Sequence, residues 1–375
     1  FYFLFFLLSN FSLDQKSGIW TKNEKIKNDD ELVIKELFKK SKALENEYNL
    51  NVKIRLESFL VNNNIASTLD NNSGRLKYNG ILKNISRYKF SKIDNFNQFE
   101  PEMIFDGENI IFFDNKGSIL KFDKFSKLIW KKNYYTKSEK KLSPSLTFAI
   151  IQNKLLVVDN LSKYYAINVD NGELLWTKKS KAPSNSQIKI YKDDFLIVDF
   201  HNILRCISIN DGIEKWNVST DTTFIKSQKK LSLIISRDKV FFNNSIGDIS
   251  AVDIKSGNLI WQTPTQSSSI YENAFLLKTS DLVTDNKSIL FSNNRNEFFS
   301  LDIFTGAINW QKKINSTIRP VLIDKLIFTI SNEGFLVILD KDSGEIARIT
   351  NIFSEIKEKK RKNIIPVGFI VGVDN

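Results

Sequence analysis

Short apolar runs recur along the chain at nearly constant intervals. Asn109-Ile-Ile-Phe-Phe113, Lys154-Leu-Leu-Val-Val-Asp159, Phe195-Leu-Ile-Val198, Lys239-Val-Phe-Phe-Asn243 and Lys325-Leu-Ile-Phe-Thr-Ile330 are rich in β-branched and aromatic residues. Their length and their polar bounds predict buried strands. Each is followed by an alternating stretch, a turn and a further strand, so a unit holds about four short strands. Only Asp29 to Tyr48 carries a helical period, with Leu32, Ile34, Leu37, Phe38 and Leu44 on a ragged apolar face. It precedes the repeated units.

The units are copies of one pattern. Ala166-Ile-Asn-Val-Asp-Asn-Gly172-Glu-Leu-Leu-Trp176, Cys206 to Trp216, Ala251 to Trp261 and Ser300 to Trp310 align without gaps. Ile338 to Arg348 has Arg in the Trp place, Lys121 to Trp130 has Ser126 in the Gly place, and a weaker copy ends at Asn79-Gly80. The turn positions 80, 126, 172, 212, 257, 306 and 344 lie 38 to 49 residues apart, the size of a propeller blade and too poor in helix for a solenoid.

Each slot has a physical reason. Asn171-Gly172 and Asp211-Gly212 read as two-residue hairpin turns, which need positive φ. Leu174 then shares a face with Trp176, Leu259 with Trp261 and Ile308 with Trp310. The indole is large enough to wedge against the adjoining repeat. The slot six before the Gly is small (Ala166, Cys206, Ala251, Ser300), as fits a place under a bulky ring. Asp253, Asp302 and Asp340 stand four before the Gly, where a carboxylate accepts bonds from turn amides. The expected fold is all-β: a propeller of four-stranded antiparallel blades over residues 50–375, eight-bladed with its last blade cut short near Ile364, or seven-bladed. Asn51-Val-Lys-Ile-Arg-Leu56 is the candidate for a strand that closes the ring.

The start, Phe1-Tyr-Phe-Leu-Phe-Phe-Leu-Leu8, is too short to span a bilayer. It reads as the apolar part of a secretory signal, giving a remnant over 1–12 and a partly helical extension over 13–49; a buried first strand is the other reading. Phe11 and Ser12 stand where a lipid-accepting Cys would be looked for.

Composition narrows the chemistry. The net charge is +11, but Lys is spread along the chain, which argues against a nucleic-acid stripe; attraction to an anionic membrane surface stays open. A single Cys206 excludes an internal disulfide and a Cys-based metal site, and a single His201 excludes a His cluster. Cys206 reads as a buried thiol, His201 as a turn residue, and Glu355 to Lys362 as a solvated basic loop. No catalytic, cofactor or metal constellation is expected.

The Ala-x-Asp-x-x-x-Gly-x-x-x-Trp repeat resembles the PQQ-type propeller superfamily, which includes quinoprotein dehydrogenases and the BamB family of outer-membrane protein assembly factors. Length, repeat number and a secretory start resemble the BamB family. The single Cys206 cannot supply the vicinal Cys pair typical of the dehydrogenases. The resemblance implies a non-enzymatic periplasmic scaffold without cofactor, monomeric, peripheral to the outer membrane. It would dock on a BamA-type barrel protein and other assembly subunits and serve nascent outer-membrane proteins. The alternatives are a periplasmic propeller with another partner and a quinoprotein-type enzyme.

After Trp216 comes a polar stretch that holds Phe224 and Ile225. The matching inter-blade loop of the family contacts BamA through apolar residues and an Arg. By position Ile225 and Ser227 fall on the family's two Leu places and Gln228 on the Arg; only Ile225 keeps the chemistry. Phe224, Ile225, Ser227 and Gln228 are therefore the candidate partner-binding residues, unless Phe224 and Ile225 begin the next blade's inner strand.

Overall fold

The computed structural model describes residues 11–13, 20–22, 44, 46–54, 56, 72–75, 102–221, 230–265, 277–361 and 364–371. The chain divides into two units, Phe1–Lys42 and Ala43–Asn375. In the first, Phe11–Leu13 pairs antiparallel with Trp20–Lys22.

The described part of the second unit holds six four-stranded antiparallel sheets, each with its strands in chain order. The innermost strands are Ile104–Asp106, Leu146–Ile151, Lys189–Tyr191, Leu233–Ser236, Val283–Thr284 and Val321–Ile323. Each of these touches the next along the chain. The outermost are Leu128–Lys132, Leu174–Lys179, Glu214–Ser219, Leu259–Thr263, Ile308–Lys312 and Ile346–Asn351. The fold is a β-propeller, and these sheets are its first to sixth described blades. The turn at Asn79-Gly80 lies outside the described residues, and 364–371 form no strand.

The apolar runs lack alternation because each sheet is buried on both faces. In Lys154–Asp159 of the second blade, Leu155 and Val157 join a core shared with the first blade. Leu156 and Val158 join one shared with the third. In the fourth blade, Val240 and Phe242 face the third while Phe241 faces the fifth. The hydrophobic core thus lies in slabs between blades, and the period-2 geometry of a strand sorts its side chains between two slabs.

The repeat motif locks the slabs. Trp176 pairs across the sheet with Ala166, Trp216 with Cys206, Trp261 with Ala251 and Trp310 with Ser300, so the small slot lies beside the indole. Each indole lies over the turn glycine of the following blade: a Cβ on Gly212 would stand 2.6 Å from Trp176, and one on Gly257 2.8 Å from Trp216. The indole N–H groups of Trp130, Trp176, Trp216 and Trp310 donate to the carbonyls of Val169, Ile209, Ile254 and Lys341 in the next blade at 2.9–3.1 Å.

Two expectations are corrected. The outer turn is longer than a two-residue hairpin. The Gly172 amide donates to the Asn168 carbonyl at 2.9 Å and the Asn168 amide to the Glu173 carbonyl at 2.8 Å. Only the Gly takes positive φ, 70° at Gly172 and 71° at Gly212, whereas a two-residue mirror turn needs more of the loop there. Nor do Leu174 and Trp176 share a face. A β-bulge separates them, and the same register shift recurs in every described outer strand pair. The extra residue leaves both Leu174 and Leu175 exposed while the Trp turns inward. The Asp expectation holds: Asp253, Asp302 and Asp340 accept turn amides at 2.8–3.0 Å.

Beside the sixth blade, Tyr48 pairs with Ile349 through two backbone bonds of 3.1 and 2.9 Å. Neither Asn51–Ile54 nor Leu56, the closing-strand candidate, is in a strand. Ile54 and Leu56 instead pack on the cluster of Val321, Ile323, Phe328 and Ile338. Arg348, in the Trp slot, donates to the Val52 carbonyl at 3.3 Å.

Candidate functional site

The candidate partner residues Phe224, Ile225, Ser227 and Gln228 lie outside the described residues. The two ends of their loop are described and firmly held. At the outer end, the Thr220 amide and hydroxyl both donate to the Asn202 carbonyl, at 3.2 and 3.0 Å. The Asn202 side chain donates to the Asp221 carbonyl at 2.7 Å, and its oxygen accepts the Ser245 amide of the fourth blade at 3.0 Å. Asn202 is fully buried with φ of 58°, a conformation Asn tolerates. At the inner end, the Leu231 amide donates to the Asn185 carbonyl at 2.7 Å and Lys230 pairs with Glu102. The two described ends therefore lie at the outer edge of the third blade and beside the innermost strand of the fourth.

That inner end borders a polar cluster on the innermost strands which the sequence reading missed. Lys189, in the inner strand of the third blade, is only 3% exposed. Burial, reinforced by the positive charges of Arg319 and Lys230 and opposed by Asp281, holds its amine down to about 8. Burial likewise lowers Arg319, again against the pull of Asp281. Gln187 donates to Asp281 at 2.9 Å. The only signal in the sequence was a Lys inside the apolar run Ile188-Lys-Ile190.

A remote piece of chain crosses the inner strands of the fourth, fifth and sixth blades. The Asn72 side chain donates to the Ile235 carbonyl at 2.7 Å, and its own carbonyl accepts the Thr284 amide at 2.7 Å. The Ser73 carbonyl accepts the Leu322 amide at 2.8 Å. Gly74 is buried with φ of 76°, and a Cβ there would stand 2.2 Å from the Pro320 carbonyl oxygen. Three residues thus bridge the fourth, fifth and sixth blades along their inner edges.

Among the described residues beside the cluster, Glu102 is held by Lys230 and Asp281 by Gln187. Among the described residues no three His, Cys, Asp or Glu lie close enough to share a metal. Cys206 lies between the third and fourth blades, 1% exposed, with its thiol pushed up to about 12 by burial. His201 is exposed on a turn, its amide donating to Asp199 at 2.8 Å.

With this arrangement established, the comparisons are decisive for the family. A family model described as "Outer membrane protein assembly factor BamB" matches residues 103–350, the stretch that holds all six described blades. The chain belongs to the BamB family. The BamB of Yersinia pestis is 21% identical over 182 residues, which cover 48% of this chain and 37% of that protein. The crystal structure of BamB from Moraxella catarrhalis superposes with a TM-score of 0.56 at 14% identity, covering 67% of this chain and 75% of that one. A quinohemoprotein alcohol dehydrogenase from Pseudomonas putida reaches a TM-score of 0.43 at 13% identity, covering 56% of this chain and 41% of that one.

Proposed function

We propose that this BamB-family propeller is a non-enzymatic periplasmic scaffold of the machinery that assembles outer-membrane β-barrel proteins. It docks on a BamA-type barrel protein at the inner face of the outer membrane and aids insertion of the clients. The observation that carries this reading is the family match over residues 103–350. The use of the repeat residues supports it: Trp and Gly hold blade to blade, and Asn72–Gly74 bridges the inner edges of the fourth, fifth and sixth blades. Residues 222–229 connect two held ends, at Thr220–Asp221 and Lys230–Leu231, and are the contact segment in this reading.

The test is a pull-down. Tagged protein mixed with the purified periplasmic domains of a BamA-type protein should retain them stoichiometrically. No retention, under conditions where the propeller is folded by circular dichroism, would sink the docking reading.

A further inference from the structure

The β-bulge leaves two adjacent aliphatic side chains exposed on the rims of several blades: Leu128 and Ile129 at 45% and 46%, Leu174 and Leu175 at 45% and 46%, Leu259 and Ile260 at 44% and 41%. On the first two described blades the outer strands continue, past the inward Trp, into lysines: Leu-Ile-Trp-Lys-Lys132 and Leu-Leu-Trp-Thr-Lys-Lys179. The fourth-blade strand, Leu-Ile-Trp-Gln-Thr263, has none. The segments 128–142 and 173–181 together hold eight Lys against two acidic residues, Glu139 and Glu173; Glu139 is paired with Lys163, and Lys131 with Asp114. The two rims are neighbours, since Trp130 and Lys132 lie against Gly172 of the second blade. At the aliphatic end of the first rim Phe125 is 76% exposed.

An aliphatic band with a lysine band about 10 Å away along the strands is the layering of a surface that rests on a bilayer. The apolar side chains enter the headgroup boundary and the lysines reach the phosphates. We propose that the joined rims of the first and second described blades bind an anionic lipid bilayer. Nucleic acid fits less well, because it gives the aliphatic band nothing to bury in. The surface is argued from exposure and charge alone, so a failed pull-down leaves it standing and a failed vesicle experiment leaves the scaffold reading standing.

The experiment is flotation of the full chain with vesicles of phosphatidylcholine, with and without about one-third phosphatidylglycerol. Binding is expected to the anionic vesicles only and to fall with salt. Leu174→Asn with Leu175→Asn should weaken it about tenfold or more, whereas Leu259→Asn with Ile260→Asn should not. Lys179→Glu with Lys181→Glu should weaken it by at least about fivefold per lysine, and keeps the test alive if the leucine variant misfolds. No flotation with anionic vesicles, equal loss from the fourth-blade variant, or retention of duplex DNA in place of vesicles would each overturn the proposal.

Discussion

Trp216 of the third described blade closes over Gly257 of the fourth: its indole N–H reaches the Ile254 carbonyl at 3.0 Å, and any Cβ on Gly257 would meet the ring at 2.8 Å. The two residues are one contact seen from two sides. Trp216→Ala should cost about 3–5 kcal/mol in urea unfolding. Gly257→Ala should also destabilise, through its φ of 73° and through the clash. In the Trp216→Ala background the clash is gone, so the glycine substitution should cost at least about 1 kcal/mol less. Simple additivity of the two would show that they do not share a contact.

Lys189 makes stability depend on pH in an unusual direction. Its folded amine sits near 8, below the 10.5 of the free side chain. Between those values the unfolded chain holds a proton that the folded one has released, so stability rises as pH rises through this window. Below 8 both states are protonated and the full penalty, about 3 kcal/mol, applies. Lys189→Met should remove the rise between pH 8 and 10.5 when its unfolding curve is compared with that of the parent protein. A parallel pair of curves would show that Lys189 is not depressed.

Arg205 is buried between two carboxylates, donating to Asp199 at 2.7 and 3.0 Å and to Glu214 at 2.7 Å. Arg205→Met leaves Asp199, 1% exposed, without its counter-charge. The expected loss is about 3–5 kcal/mol by chemical denaturation. Asp199 also caps the turn that holds His201 and Ile203, so the loss should appear there first in hydrogen exchange. A change below about 1 kcal/mol would contradict this reading of the network.

For the partner loop, Phe224→Ala with Ile225→Ala should weaken binding to a BamA-type protein at least about thirtyfold, since apolar anchors at an interface centre each carry roughly 2 kcal/mol. Titration calorimetry reads the affinity and circular dichroism the fold. Normal binding removes the loop from the interface. Unfolding shows that both side chains belong to the fourth blade's core.

Gly74→Val should lift Asn72–Gly74 off the inner strands, because the new Cβ has no room beside the Pro320 carbonyl. The amides of Thr284 and Leu322 should then lose protection from hydrogen exchange while those of the middle strands keep theirs. Unchanged protection at both amides would show that the crossing does not form.

The sequence was most legible where the same contact is built many times. The lock of Trp on Gly recurs at each blade boundary, so the same residue types recur at the same spacing, and the small slots of Ala166 and Cys206 followed from it. The bulge at Leu175 was not legible, because register is a main-chain property and Leu-Leu-Trp reads equally well as plain alternation. The crossing at Asn72 was hidden for another reason. It joins residues 163 apart through backbone groups and one amide side chain, and such bonds leave no mark on composition. Lys189 was marked only by its place inside the apolar run Ile188-Lys-Ile190, which does not say that the strand will be covered.

The bond from Leu322 to Ser73 also sets an order of events during synthesis. Residue 73 is made about 250 residues before its partner, and at roughly 5–20 residues per second it waits some 10–50 s. Within that interval Asn72 can bond first to Ile235 and then to Thr284, as each is made, before Ser73 meets Leu322. A chain halted before Leu322 can make the bonds of Asn72 to the fourth and fifth blades, but it lacks the Ser73 bond that ties in the sixth.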